Sequence, residues 1–205
     1  MIQGRVVATG AVFALAAATV AGVVGIAGAA PSHPATVRTA AHKVHSVKKA
    51  KKPVAYHLAL VVVANGPGAP KFTANGRSSA HIVLPAHTLV TVTLRNYDNG
   101  ASPPGAPYAK VTGTVGNFML LNGKKVSSVP VKTIAHTFTV PGIGLNVPIP
   151  AVSGKAKYLT ETFQFKTGNA GTYTWQCFAP CGTGPSGWGG PMVTPGEMAG
   201  SVKVG

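Results

Sequence analysis

The stretch Gly171-Thr-Tyr-Thr-Trp-Gln-Cys177-Phe-Ala-Pro-Cys181-Gly decides how this chain is read. Its first half alternates in the two-residue period of a strand whose faces meet different surroundings. The alternation then breaks into a loop that holds both cysteines of the 205-residue chain, with three residues between them. About forty residues upstream lies Ala135-His136-Thr-Phe-Thr-Val-Pro, a second strand-like run that carries a histidine. Two sulfurs at the end of one strand and an imidazole on another make a soft donor set of the kind that selects copper.

Working outward, the chain from Tyr56 on is a series of short apolar runs separated by Gly, Pro and Asn. Leu58-Ala-Leu-Val-Val-Val-Ala reads as a strand and stops at Asn65-Gly-Pro-Gly-Ala-Pro. His81-Ile-Val-Leu-Pro and the strictly alternating Leu89-Val-Thr-Val-Thr-Leu-Arg-Asn follow. Asn96-Tyr-Asp-Asn-Gly and Ala101-Ser-Pro-Pro-Gly-Ala-Pro read as loops. Residues 110–117 read as a further strand and Leu121-Asn-Gly-Lys as a hairpin turn. Ile134 to Val140, Tyr158 to Phe165, Thr172 to Cys177 and the closing Gly200-Ser-Val-Lys-Val complete the set. About eight strands at this spacing, with no helical period after the first thirty residues, predict an all-β Greek-key sandwich over residues 55–205. Roughly 150 residues suffice to bury its core.

Motif and order resemble the cupredoxins, and most closely the copper domain of cytochrome c oxidase subunit II. In that family a His-x-Phe-x-x-Pro strand precedes a Gly-x-Tyr-x-x-x-Cys-x-x-x-Cys-Gly loop. The resemblance covers residues 55–205. It implies a cupredoxin-like sandwich holding copper through His136, Cys177 and Cys181. Met198-Ala-Gly-Ser-Val-Lys-Val resembles the family's closing strand and makes Met198 the candidate axial thioether. The chain also departs from the family. The family's second histidine lies four residues after the second cysteine and its methionine three further on, where this sequence has Pro185 and Trp188. The stretch 182–197 is a Gly- and Pro-rich insertion without histidine. Met192 within it is a substitute thioether, and His57, His81 or His87 are substitute imidazoles from other strands.

The cysteines admit three readings from sequence. Both bind copper as thiolates, with His136 and a methionine completing a set suited to Cu(I). Alternatively they form a Cys177–Cys181 disulfide, as exported cysteines usually do, or they remain free thiols. His136 reads either as a ligand or as a satisfied, half-buried strand residue. Phe138, Phe163, Phe165 and Tyr173 read as core and cross-strand residues. Trp175 and Trp188 flank the cysteine loop.

The segment 1–30 is almost wholly apolar, with Arg5 before it and small-x-small steps at Ala27-Gly-Ala29 and Gly28-Ala-Ala30. It reads as a signal peptide or membrane anchor, so that the domain faces outward: extracellular, periplasmic or tethered. Residues 31–54 form a Pro/Ala/Lys/His linker without apolar period, read as disordered. The net charge of +15 comes from 18 Lys and Arg against three acids, Asp98, Glu161 and Glu197. Six of the cations (Arg38, Lys43, Lys48, Lys49, Lys51, Lys52) lie in the linker. Export and their scatter argue against nucleic acid; an anionic membrane or cell-wall surface and a redox protein are the expected partners. Three acids leave almost no material for a carboxylate pair or a Ser-His-Asp arrangement, so hydrolytic chemistry is set aside. The expected role is one-electron transfer or Cu(I) storage and delivery. The competing role is a metal-free binding module with bridged cysteines.

Overall fold

The computed structural model describes residues 55–63 and 70–205; the apolar 1–30 segment, the 31–54 linker and the 64–69 loop lie outside the described residues. Among the described residues, twelve strands form two sheets. The first is ordered β3-β2-β1-β5-β10-β6-β7 and the second β4-β12-β11-β8-β9. In the first, β1 (Ala55–Val63), β2 (Lys71–Ala74), β3 (Arg77–Ser78) and β5 (Leu89–Asn96) join β10 (Leu159–Lys166), β6 (Met119–Leu121) and β7 (Lys124–Val126). In the second, β4 (His81–Leu84) and β12 (Ala199–Val204) lie beside β11 (Gly171–Gln176), β8 (Ile134–Val140) and β9 (Leu145–Pro150). The expected all-β sandwich is therefore what forms. β1 runs parallel to β5, and β4 parallel to β12, so distant parts of the chain meet as neighbours in each sheet.

Alternation sets the faces. Along β5, Val90, Val92, Leu94 and Asn96 are buried while their neighbours are more exposed, and along β10 the inward residues are Leu159, Glu161, Phe163 and Phe165. Their partners across the core include Phe138, Trp175, Val202 and Val204 of the second sheet. The Leu121-Asn-Gly-Lys turn forms as expected: Asn122 and Gly123 both have positive φ, 47° and 81°, the backbone of a tight primed hairpin turn. Asn75-Gly76 makes the same turn between β2 and β3.

Two expectations fail locally. Residues 110–117 do not form a strand; they make isolated bridges from Lys110 to Ser128 and from Thr112 to Asn146. Gly113, Gly116 and Asn117 all take positive φ there, which breaks extended backbone. Conversely, β9 (Leu-Asn-Val-Pro-Ile-Pro) was not expected because it contains Pro148 and Pro150. It lies at the end of its sheet, where a missing N–H costs no central ladder bond. Beside it β8 is buried at every position, and a register shift between Ile134 and His136 re-aims its first residues.

Candidate metal centre

β8 places His136 fully inside the protein, with the Phe72 ring edge-on to the imidazole at 6.1 Å between centroids. β11 delivers Cys177 to the same point. Its N–H donates to the Met198 carbonyl at 2.8 Å, carrying the β11–β12 pairing one residue past the strand. A tight turn, closed by the Cys181 N–H on the Ala179 carbonyl, brings the second cysteine back. The result is a cluster in which the ligating atoms of His136, Cys177 and Cys181 all lie within 4.8 Å of one another. The two sulfurs are 3.5 Å apart and both cysteines are free.

The imidazole is oriented for ligation. Nδ1 faces the sulfurs, 3.3 Å from Cys181 Sγ and 3.9 Å from Cys177 Sγ. Nε2 is 2.8 Å from Asp98 Oδ2, so an Nε2–H donates to the carboxylate and leaves Nδ1 turned inward. A carboxylate on the far nitrogen of a histidine fixes tautomer and ring angle at metal sites and makes the ligand more basic. Asp98 is itself held: Asn96 Oδ1 accepts its N–H, and Gly100 N–H donates to its Oδ1 at 2.7 Å.

The insertion after Cys181 folds back as a small hairpin, with Thr183 and Gly189 exchanging backbone hydrogen bonds. Gly182 is required at its start, because a Cβ there would strike the Gly189 carbonyl and the Met192 side chain. The 190–193 turn then buries Met192 with its Sδ 3.5 Å from Cys181 Sγ. Met198 is equally buried, and its carbonyl accepts the Cys177 N–H. His57 is exposed on β1, His81 bonds Ser201 through Nδ1, and His87 sits in the β4–β5 turn. Among the described residues the cluster thus contains one histidine.

A buried polar chain locks the cysteine loop to the neighbouring strands. Each hydroxyl has one proton, so the bonds have one consistent direction. Phe178 N–H donates to Thr137 Oγ1, Thr137 to Thr139 Oγ1, and Thr139 to Asn146 Oδ1, whose amide donates to the Tyr108 and Lys110 carbonyls. Thr137 also donates its backbone N–H to Cys177 Sγ at 3.3 Å, a bond that favours thiolate. Outside, the Phe178 ring stacks on Tyr108 with 4.6 Å between centroids and touches Trp188 edge-on. Trp175 is wholly buried and donates its indole N–H to the Ser79 carbonyl.

The electrostatics separate the two sulfurs. Burial pushes the Cys177 thiol up, but hydrogen bonds from Cys181 and His136 and the imidazole's charge overcome it, leaving Cys177 well below its usual range. Cys181, which donates to that thiolate and is itself partly buried, is pushed far up. Burial opposes charge on His136, yet the Asp98 hydrogen bond and the Cys177 thiolate raise it from 6.5 to about 9. Burial likewise opposes charge on Asp98, but its bonds from His136 and Gly100 hold it below 3.8. The metal-free cluster is therefore a thiolate–imidazolium pair with a neighbouring thiol and carboxylate. A metal cation bound here would replace the protons of His136 Nδ1 and Cys181.

Three groups that matter here carried no motif: Asp98, Thr137 and the buried Glu161. Acid scarcity was the available signal for two of them, since only three carboxylates occur in the chain. No protein-family model matches this sequence, and no curated protein matches it. Among solved structures, rusticyanin from Thiobacillus ferrooxidans is 17% identical over 74% of this chain and 77% of its own, with a TM-score of 0.38. Reduced rusticyanin, at 17% identity, covers 74% and 79% with a TM-score of 0.40. Auracyanin B is 16% identical, covering 76% of this chain and 91% of its own, with a TM-score of 0.37. At these values the likeness assigns no ligand and no role, which rest on the geometry above.

Proposed function

We propose that this chain is an exported, cupredoxin-like copper protein that exchanges single electrons with a redox partner. One observation carries the reading: His136 Nδ1, two cysteine sulfurs and the Met192 thioether converge inside a rigid sandwich, with Nε2 of the same histidine tied to Asp98. Two sulfurs of cysteine, one imidazole and a thioether are a soft set that suits copper, whereas a thioether is a poor ligand for zinc or for hard cations. Bound copper would supply a one-electron couple. The protein's part is to hold the four donors nearly fixed between the two oxidation states, through the Thr137–Thr139–Asn146 chain and the Asp98 bond. A single histidine supports one copper ion per chain rather than the binuclear centre of the oxidase subunit II domain. The basic linker and apolar first segment fit a protein held at an anionic envelope surface.

The test is copper analysis of the purified chain together with thiol titration before and after reduction. The expected result is two reactive thiols in the metal-free protein and uptake of one Cu(I) per chain, abolished in Cys177→Ser. Thiols that react only after reduction, with no stoichiometric Cu(I) uptake by the reduced chain, would establish a disulfide-bridged, metal-free module instead.

A further inference from the structure

The sandwich has a groove where its two sheets end. β3 is the last strand of the first sheet and β4 the last of the second. A cavity of about 330 Å³ lies between them, with β1 and β2 completing its wall. Its floor is apolar, since Leu58, Ala74 and Ile82 belong to the buried core. Val83, at its side, is 61% exposed.

The polar side chains lining this groove carry hydrogen-bonding capacity that the protein does not spend. Asn75 accepts the Ala59 N–H through Oδ1, which leaves its amide NH2 unused. Ser78 Oγ accepts the Ala80 N–H, and its own proton remains to donate. The Arg77 guanidinium and the Tyr56 hydroxyl have no ion pair or hydrogen bond among the described residues. His81 Nδ1 lies 2.9 Å from Ser201 Oγ, whose proton goes to the Ala80 carbonyl, so Nδ1–H is the donor. That bond fixes the ring and leaves Nε2 without a partner. In the parallel pairing with β12, the Ala80 and Leu84 carbonyls accept from that strand. Alternate residues of β4 therefore face β12, and the N–H groups of His81 and Val83 face the open edge. No carboxylate lines the groove. The cavity beside Tyr108 differs, because Thr112, Thr139 and Asn146 there donate to acceptors within the protein.

We propose that this groove binds a carboxylate carried on a short apolar body. Arg77 supplies one permanent positive charge and a planar fork that matches a carboxylate. Asn75, Ser78 and Tyr56 supply neutral donors, and the apolar floor takes the rest of the ligand. One fixed charge above an apolar floor disfavours a multiply charged, strongly hydrated anion such as inorganic phosphate. A free monocarboxylic acid offers this chemistry, and so does the C-terminus of a peptide ending in an apolar residue, which can also run along the open edge of β4. Binding here involves neither the sulfurs nor His136, so it stands apart from the copper reading.

The experiment titrates the metal-free full chain with octanoate and follows amide chemical shifts. Signals of residues 75–83 should move saturably. Arg77→Gln, at an exposed position, should weaken binding by about tenfold or more, the loss expected for a hydrogen-bonded charge. Lys132→Gln, outside the groove, should leave it unchanged. Inorganic phosphate and octyltrimethylammonium should not saturate the same signals at the same concentrations. The tripeptide Gly-Gly-Leu and its C-terminal amide separate the two sources. Tighter binding by the tripeptide than by octanoate, lost on amidation, assigns the site to a chain terminus; tighter binding by octanoate assigns it to a free acid. Shifts scattered over the surface, equal saturation by phosphate, or binding that survives Arg77→Gln overturns the proposal and leaves the copper reading standing.

Discussion

Asp98→Asn removes one negative charge from the far side of His136 and changes little else in shape. Asparagine keeps an Oδ1 for the Gly100 N–H, and the Asn96 bond to the Asp98 N–H is backbone-borne, so the 96–100 loop retains its frame. What is lost is a charge-assisted bond of 2.8 Å between side chains only 0% and 11% exposed. Such a bond contributes about 1.5–3 kcal/mol, which corresponds to roughly a 10- to 100-fold loss of metal affinity. The loss is unequal between oxidation states, because a nearby anion favours the higher cationic charge. Each tenfold excess of weakening in Cu(II) over Cu(I) raises the potential by about 59 mV. The assay is Cu(I) affinity by chelator competition and midpoint potential by optical titration, with thermal unfolding as the control. A variant that unfolds like the wild type while keeping both affinity and potential would refute the claim that Asp98 acts through Nε2.

The methionines separate cleanly by the same measurements. Met192→Leu should weaken Cu(I) binding by about tenfold and raise the potential, since it removes the thioether that meets Cys181. Met198→Leu should leave both unchanged and cost less than about 1.5 kcal/mol of stability, as volume-conserving core swaps do; the reverse pattern would assign the axial role to Met198, as the sequence resemblance implies. In the metal-free chain, the raised His136 pKa gives stability that is complete below 6.5 and lost as pH rises through about 9. The lowered Cys177 pKa gives stability fully present above 9.0 and lost as pH falls, so the two offset between those values. Glu161 remains: its raised pKa gives stability complete below 4.5 that is lost as pH rises toward its folded value. Between pH 6.5 and about 9, where the His136 and Cys177 contributions offset each other, thermal unfolding should therefore show declining stability, by up to about 1.4 kcal/mol per unit, and a flat response in Glu161→Gln; a decline that persists in the variant would assign it elsewhere.

The strands that build the site were legible because each shows one buried face. β5, β10 and β12 alternate, and alternation survives in sequence. β8 was found through its histidine and aromatic context, since burial at every position erases the two-residue period. β9 was missed for the same reason and because its two prolines read as loop. Residues 110–117 read as a strand on composition, but a run that must cross to Asn146 needs the positive φ values of Gly113 and Gly116. For the site, spacing alone located Cys177 and Cys181, and a strand motif located His136. Met192 was reachable only as a methionine in the right loop, because the backbone that delivers it depends on a hairpin between Thr183 and Gly189. Nothing local marks Asp98, which sits 38 positions from its partner in a loop that reads as ordinary turn.

Charge scarcity ties these residues together. A chain of net charge +15 that keeps only three acids has little use for carboxylates as surface solubilisers, and its cations far outnumber its anions. Two of the three acids are nonetheless buried: Asp98 bonds His136 directly, and Glu161 feels the charge of the imidazole through space. They are held in opposite states. Asp98 stays ionised because His136 and Gly100 hydrogen-bond to it, and so makes the imidazole a better donor. Glu161 has no such partner and stays neutral. One carboxyl is therefore charged and the other neutral, beside a pair of sulfurs of which one is thiolate and one thiol. Burying so many titratable groups costs stability unless a cation completes the set; on the proposed copper reading, a soft cation held between His136, Cys177, Cys181 and Met192 would satisfy the imidazole and the sulfurs together.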